Sequence, residues 1–143
     1  MSDKTIHSVM IVDDDKDDRD LARRRLERSG RYRYVLDAAD GREALALFET
    51  YQVKRRATPE GFPPLLMLLD INMPVVSGFD LLERLDDLAG AEQTRVVVML
   101  SSSDAVEDRT RAAKYARVAD YLVKPLSKAD ALSLADRFGE VGQ

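Results

Sequence analysis

Residues 65–70 read LLMLLD, five apolar side chains in a row followed by Asp70. A strand with one wet face alternates apolar and polar residues, so an unbroken run suits a strand covered on both faces. That is the central position of a parallel sheet. RVVVMLS (95–101) has the same character, and SVMIVD (8–13) nearly so. YRYVLDA (32–38) alternates, and ADYLV (119–123) is a last short strand.

Helical patterns fall between these runs. Asp17 to Ser29 is predicted as a helix with Ala22 and Leu26 inward and Gly30 as its stop. DGREALALFETY (40–51) opens with Asp40 and Glu43 in capping-box spacing, and Ala44, Leu47, Phe48 and Tyr51 make a core-facing stripe. SGFDLLERLDDL (77–88) places Leu81, Leu82, Leu85 and Leu88 on one side. DAVEDRTRAAKYA (104–116) is a weaker helix with a mostly alanine inner face. Ser127 caps a closing helix with Ala131, Leu134, Ala135 and Phe138 inward. Gln52 to Pro64, with three prolines and a glycine among charges, is expected to be a solvent loop.

Five βα units in succession require right-handed crossovers. The expected fold is α/β: a doubly wound, five-stranded parallel sheet with five helices. With 143 residues, 45% of them apolar, the chain suits one domain over 1–143, its core about 7–139, with no output domain. The net charge of −4 gives no general reason to bind nucleic acid. The absence of cysteine excludes disulfides and thiol chemistry. No run approaches the ~20 apolar residues of a membrane helix, and no signal peptide is evident, so a cytoplasmic protein is expected. His7, the only histidine, lies near a terminus prone to disorder and is read as a bystander.

Ligands of such sheets bind outside the carboxyl ends of the strands. Asp13, Asp14 and Asp15 end the first strand, Asp70 the third and Ser101 the fourth, while the fifth runs into Lys124. Clustered carboxylates suit a hard divalent cation. A carboxylate beside it can attack a phosphoryl group, with lysine and hydroxyl taking up charge on the phosphoryl oxygens. Asp17 and Asp18 suit the positive end of the first helix, and Asp15 is read as a loop neighbour without a ligand role.

Asp13 and Asp14, LLDINMP around Asp70, Ser101 after an apolar strand, and YLVKP with Lys124 and Pro125 together resemble the receiver domain of two-component response regulators. The resemblance covers almost the whole chain and implies a flavodoxin-like fold. It implies that Asp70 is the phosphoacceptor for a histidine kinase or histidine phosphotransfer protein. Mg2+, replaceable by Mn2+, would be held by Asp13, Asp14, Asp70 and the backbone carbonyl of Asn72. Lys124 would pair with the phosphoryl group, before a cis bond to Pro125. Ser101 and Tyr121 would act as the switch, and Asn72 and Ser103 would tune dephosphorylation. Ser101 stands where many relatives carry threonine, which implies a looser switch.

Output would pass through a downstream protein target or onward phosphorelay, with homodimerisation through the face of helix four, strand five and helix five. Neither nucleic acid nor membrane is an expected partner, and no enzyme activity beyond self-catalysed phosphotransfer and slow autodephosphorylation is expected. The long loop before strand three resembles that of regulators serving phytochrome-type kinases. Arg23 to Arg25 are read as a solvated or kinase-facing surface, and Lys54 to Arg56 as soluble surface. Two alternatives stand beside this reading. One is a phosphorylation-independent adaptor. The other is a haloacid-dehalogenase-like phosphatase using Asp13 and Asp15, for which Asp130 and Asp136 are the only aspartates after Lys124.

Overall fold

The computed structural model describes residues 3–53, 58–88 and 90–141. In chain order it forms β1 (Lys4–Val12), α1 (Lys16–Ser29), β2 (Tyr32–Ala38), α2 (Gly41–Val53), β3 (Leu66–Leu69) and α3 (Gly78–Leu85). A 3-10 turn (Ala91–Gln93) leads to β4 (Val96–Ser101), α4 (Val106–Ala112), β5 (Val118–Val123), α5 (Lys128–Phe138) and β6 (Glu140–Val141). The parallel strands lie in the order β2-β1-β3-β4-β5. Chain direction across the sheet reverses between β1 and β3, so the crevice expected of this topology opens at their carboxyl ends.

The core follows strand parity. Met10 and Val12 of β1, Met67 and Leu69 of β3, and Val97 and Met99 of β4 pack with Phe48, Phe79, Leu81 and Leu85. Their neighbours Val9, Ile11, Leu66, Leu68, Val98 and Leu100 pack on the opposite face with Ala22, Leu26, Leu134 and Ala135. Both faces of the three central strands are therefore dry, which is why their sequences do not alternate. Each fully buried side chain of this size contributes roughly 1.5–3 kcal/mol.

Local signals place the helices. Asp15 caps α1, its carboxylate accepting from the Asp18 amide at 3.0 Å, and Gly30 closes the helix at φ 70°. Ser77 with Asp80, and Ser127 with Asp130, form reciprocal capping boxes at α3 and α5. Asp40 accepts from the Glu43 amide at 2.8 Å at the start of α2.

Several expectations need correction. Asp15 is a helix cap rather than a bare loop residue. β1 starts at Lys4, and β6 pairs antiparallel with Lys4 and Thr5, which brings the amino-terminal stretch into the sheet. His7 consequently sits in a strand, its ring meeting Tyr34 edge-on at 5.3 Å. The loop before β3 is not simply solvated. Phe62 packs on Phe48 at 4.9 Å, Pro64 is buried, and the Pro64 carbonyl accepts from Thr94 Oγ1 at 2.7 Å. Lys54 to Arg56 lie outside the described residues. α4 spans only Val106–Ala112, with Ala112 as its buried residue. A helix with so small an apolar face gains little from packing, so it stays short.

Val75, in the loop after β3, is exposed and has φ 68°. The Val76 amide donates to the Pro74 carbonyl at 2.8 Å, so Val75 is the centre of a γ-turn at positive φ, where a β-branched side chain is strained by about 1–2 kcal/mol. Val75→Asn is expected to raise unfolding free energy by about 1 kcal/mol, because asparagine tolerates positive φ. A denaturant titration that leaves the midpoint unchanged would refute the strain.

Candidate functional site

Strand register builds the site. Val12 lies opposite Leu69 in the β1–β3 ladder, so the next residues, Asp13 and Asp70, emerge side by side. The Asp70 amide donates to the Val12 carbonyl at 3.0 Å, which pins that junction. Ser101 lies opposite Val123, and the Lys124 amide donates to the Ser101 carbonyl at 2.9 Å, bringing the lysine to the same rim. The peptide between Lys124 and Pro125 is cis, as the motif implied.

Asp13 and Asp70 are buried, whereas Asp14 is exposed, and each contributes an oxygen to a group whose members lie within 4.8 Å of one another. Lys124 Nζ stands 2.7 Å from Asp13, 2.9 Å from Asp18 and 3.3 Å from Asp70. Asp70 Oδ1 accepts from the Ile71 amide at 2.8 Å. Gly78 permits the tight return of the chain here: its amide donates to the Ile71 carbonyl, and a methyl group in its place would lie 2.2 Å from the Asp70 carbonyl oxygen.

Burial pushes the Asp70 carboxyl up to about 6, with Lys124 opposing the shift and Asp13 adding to it. For Lys124, burial works against the ammonium, but hydrogen bonds to Asp13 and Asp18 and the charge of Asp70 hold it above the ordinary lysine range. One ammonium thus faces more negative charge than it neutralises. Oxygen donors this close, one of them reluctant to ionise, fit a hard divalent cation.

Ser101 is fully buried, and its Oγ accepts from the Ser103 amide at 3.1 Å, which leaves the hydroxyl proton available to another acceptor. Tyr121 donates to the Ser103 carbonyl at 2.6 Å, packs against the core, and carries the Arg109 guanidinium 4.6 Å from its ring centre. Ser103 Oγ donates to Asp108 of α4 at 2.7 Å. Ser101, Tyr121 and α4 therefore share Ser103 as a junction. The Asn72 side chain is exposed in the loop following Asp70.

Residues 9–136 match the model of the response regulator receiver domain. The chain belongs to that family. This receiver domain is 33% identical over 141 residues to the two-component response regulator ORR3 of Oryza sativa, covering 96% of this chain and 97% of that one. A two-component response regulator from Cytophaga hutchinsonii superposes with a TM-score of 0.78 at 26% identity, covering 94% of this chain and 98% of that chain. The bacteriophytochrome response regulator AtBRR gives 0.71 at 26% identity, covering 96% and 95%.

The receiver family displaces the phosphatase alternative, and the structure gives the physical reason. The carboxylates of Asp15 and Asp130 are taken up as helix caps, and Asp136 pairs with Arg31. Two contacts escaped the sequence reading. Asp18 is expected only at the helix start, yet its carboxylate reaches Lys124 at 2.9 Å. Arg19 Nη1 donates to the Asp13 carbonyl at 2.8 Å. Their position in the first turn of the helix leaving β1 was the available signal, since that turn borders the strand-end crevice. Among the described residues, no helix is long and apolar enough to cross a membrane.

Proposed function

We propose that Asp70 accepts a phosphoryl group from a histidine kinase or a histidine phosphotransfer protein. The observation carrying this reading is the buried Asp70 carboxylate, flanked by Asp13 and by Lys124 at 3.3 Å. An Asp70 oxygen attacks phosphorus, the O–P bond forms as the donor's P–N bond breaks, and the imidazole, carrying a proton on its other nitrogen, leaves neutral with the electron pair. Lys124 moves onto the phosphoryl oxygens, and the free Ser101 proton turns toward one of them. Asp13, Asp14, Asp70 and the Asn72 carbonyl would hold Mg2+ or Mn2+, which offsets charge on the transferring oxygens. Asn72 and Ser103 border the path of water to the acyl phosphate and tune its lifetime.

A new charge at Asp70 biases the junction at Ser103, through which Ser101, Tyr121 and α4 are connected. The reading gives output by way of the α4-β5-α5 face, to a protein target, a second copy of the chain, or a phosphorelay partner, in the cytoplasm. The similarity to a bacteriophytochrome regulator supports a phytochrome-type kinase as donor, which phosphotransfer profiling tests. Acetyl phosphate with Mg2+ is expected to add one phosphoryl mass per chain. An unchanged mass would favour the phosphorylation-independent adaptor, and sustained turnover of a small phosphate ester would overturn both.

A further inference from the structure

We propose that Asp18 is a positioning residue for Lys124, a competing counter-ion that the ammonium must leave when Asp70 is phosphorylated. The inference rests on the reading of Asp70 as phosphoacceptor. Lys124 lies closer to Asp13 and Asp18, at 2.7 and 2.9 Å, than to Asp70 at 3.3 Å. Its two nearer partners differ. Asp13 belongs to the group of oxygens suited to a cation, whereas Asp18 does not. Asp13 is buried, whereas the Asp18 side chain is 41% exposed in the first turn of α1.

These differences give the two carboxylates separate roles. With a divalent cation held at Asp13, that carboxylate would no longer need Lys124, and Asp18 would be the remaining pull away from Asp70. Phosphoryl transfer replaces a carboxylate monoanion at Asp70 with an acyl phosphate of about two negative charges. The ammonium then shifts inward. Asp18 gives it up at small cost, because water and the amino-terminal end of α1 accommodate its charge. Asp18 therefore holds Lys124 beside the acceptor in the resting state and weakens its commitment to the phosphoryl group. A receiver with such a counter-ion releases its phosphoryl state more readily than one without.

The test is a titration of the full chain with beryllofluoride in saturating Mg2+, followed by 19F NMR. Asp18→Asn is expected to bind about two- to five-fold tighter than the unaltered chain, the range a partly exposed ion pair supports. Asp17→Asn removes the same charge from the same turn without the Lys124 contact, and is expected to leave affinity unchanged. Asp18→Glu is expected to restore weaker binding. In a Lys124→Met background, Asp18→Asn is expected to add nothing. Equal tightening by Asp17→Asn, or tightening that survives the loss of Lys124, would overturn the proposal in favour of a diffuse charge effect. Should Lys124→Met not fold, the contrast between Asp17→Asn, Asp18→Asn and Asp18→Glu decides alone. Unaltered protein that neither labels with acetyl phosphate nor binds beryllofluoride refutes the phosphoacceptor reading itself. Normal labelling with an unresponsive Asp18→Asn refutes only the role of Asp18.

Discussion

Asp70→Asn is expected to abolish phosphoryl incorporation from acetyl phosphate and, in EDTA, to make the protein more stable. The first effect follows from removal of the attacking oxygen, and intact mass reads it directly: labelling of the variant would mean that another residue is the acceptor. The second follows from burial. The Asp70 carboxyl is raised from 3.8 to about 6 in the folded chain, chiefly by desolvation. Between those pH values the folded state keeps a proton that the unfolded state has released. Stability of the metal-free protein therefore falls as pH rises from about 4 to about 6, by roughly 2–3 kcal/mol, and the contribution is flat above that. At pH 8 in EDTA, Asp70→Asn is expected to be about 2 kcal/mol more stable than the unaltered chain, with this part of the pH slope gone. Denaturant titrations at pH 4.5 and pH 8 measure both. A variant no more stable than the unaltered chain at pH 8 would mean that Asp70 is already compensated.

Lys124→Met carries the opposite sign. The ammonium is the partner of Asp13, Asp18 and Asp70, two of which are buried. Methionine keeps the stem but leaves Asp13 and Asp70 to repel one another in a poorly solvated crevice, while the half-exposed Asp18 turns to water. Loss of one member of a buried ion pair costs about 3–5 kcal/mol, and exposure of Asp18 places this case near the lower end. The expected result is a loss of about 3 kcal/mol at pH 8 in EDTA, smaller at pH 5, where Asp70 takes up a proton. Mg2+ is expected to recover part of the loss, since a cation then occupies the same oxygens. Equal destabilisation at both pH values would show that Lys124 contributes by packing rather than by charge.

The two faces of the sheet were legible in the sequence because burial on both sides leaves a run such as LLMLLD or VVVML without polar interruptions. The strand-end residues followed from the topology, as placement outside strand termini does not depend on side-chain packing. What escaped notice depended on contacts between distant segments. The first-turn position of Asp18 places it beside the crevice, but only packing decides that its carboxylate also reaches Lys124, more than a hundred residues away. Phe62 lay among charges and prolines, and its seat on Phe48 becomes visible only once α2 and the following turn are packed. β6 has two exposed residues, too few for any periodicity, and exists because α5 delivers the chain to the start of β1.

The pairing of Val12 with Leu69 has a consequence for quality control. Side chains alternate along a strand, so a slip of one residue between β1 and β3 would turn Asp70 out of line with Asp13 and drive a charged group toward an apolar layer. A chain misassembled in this way would have no acceptor to offer. The proposed ability to take a phosphoryl group would thus certify that the two central strands have met in register, and an unripe molecule would be silent rather than misleading to its partners.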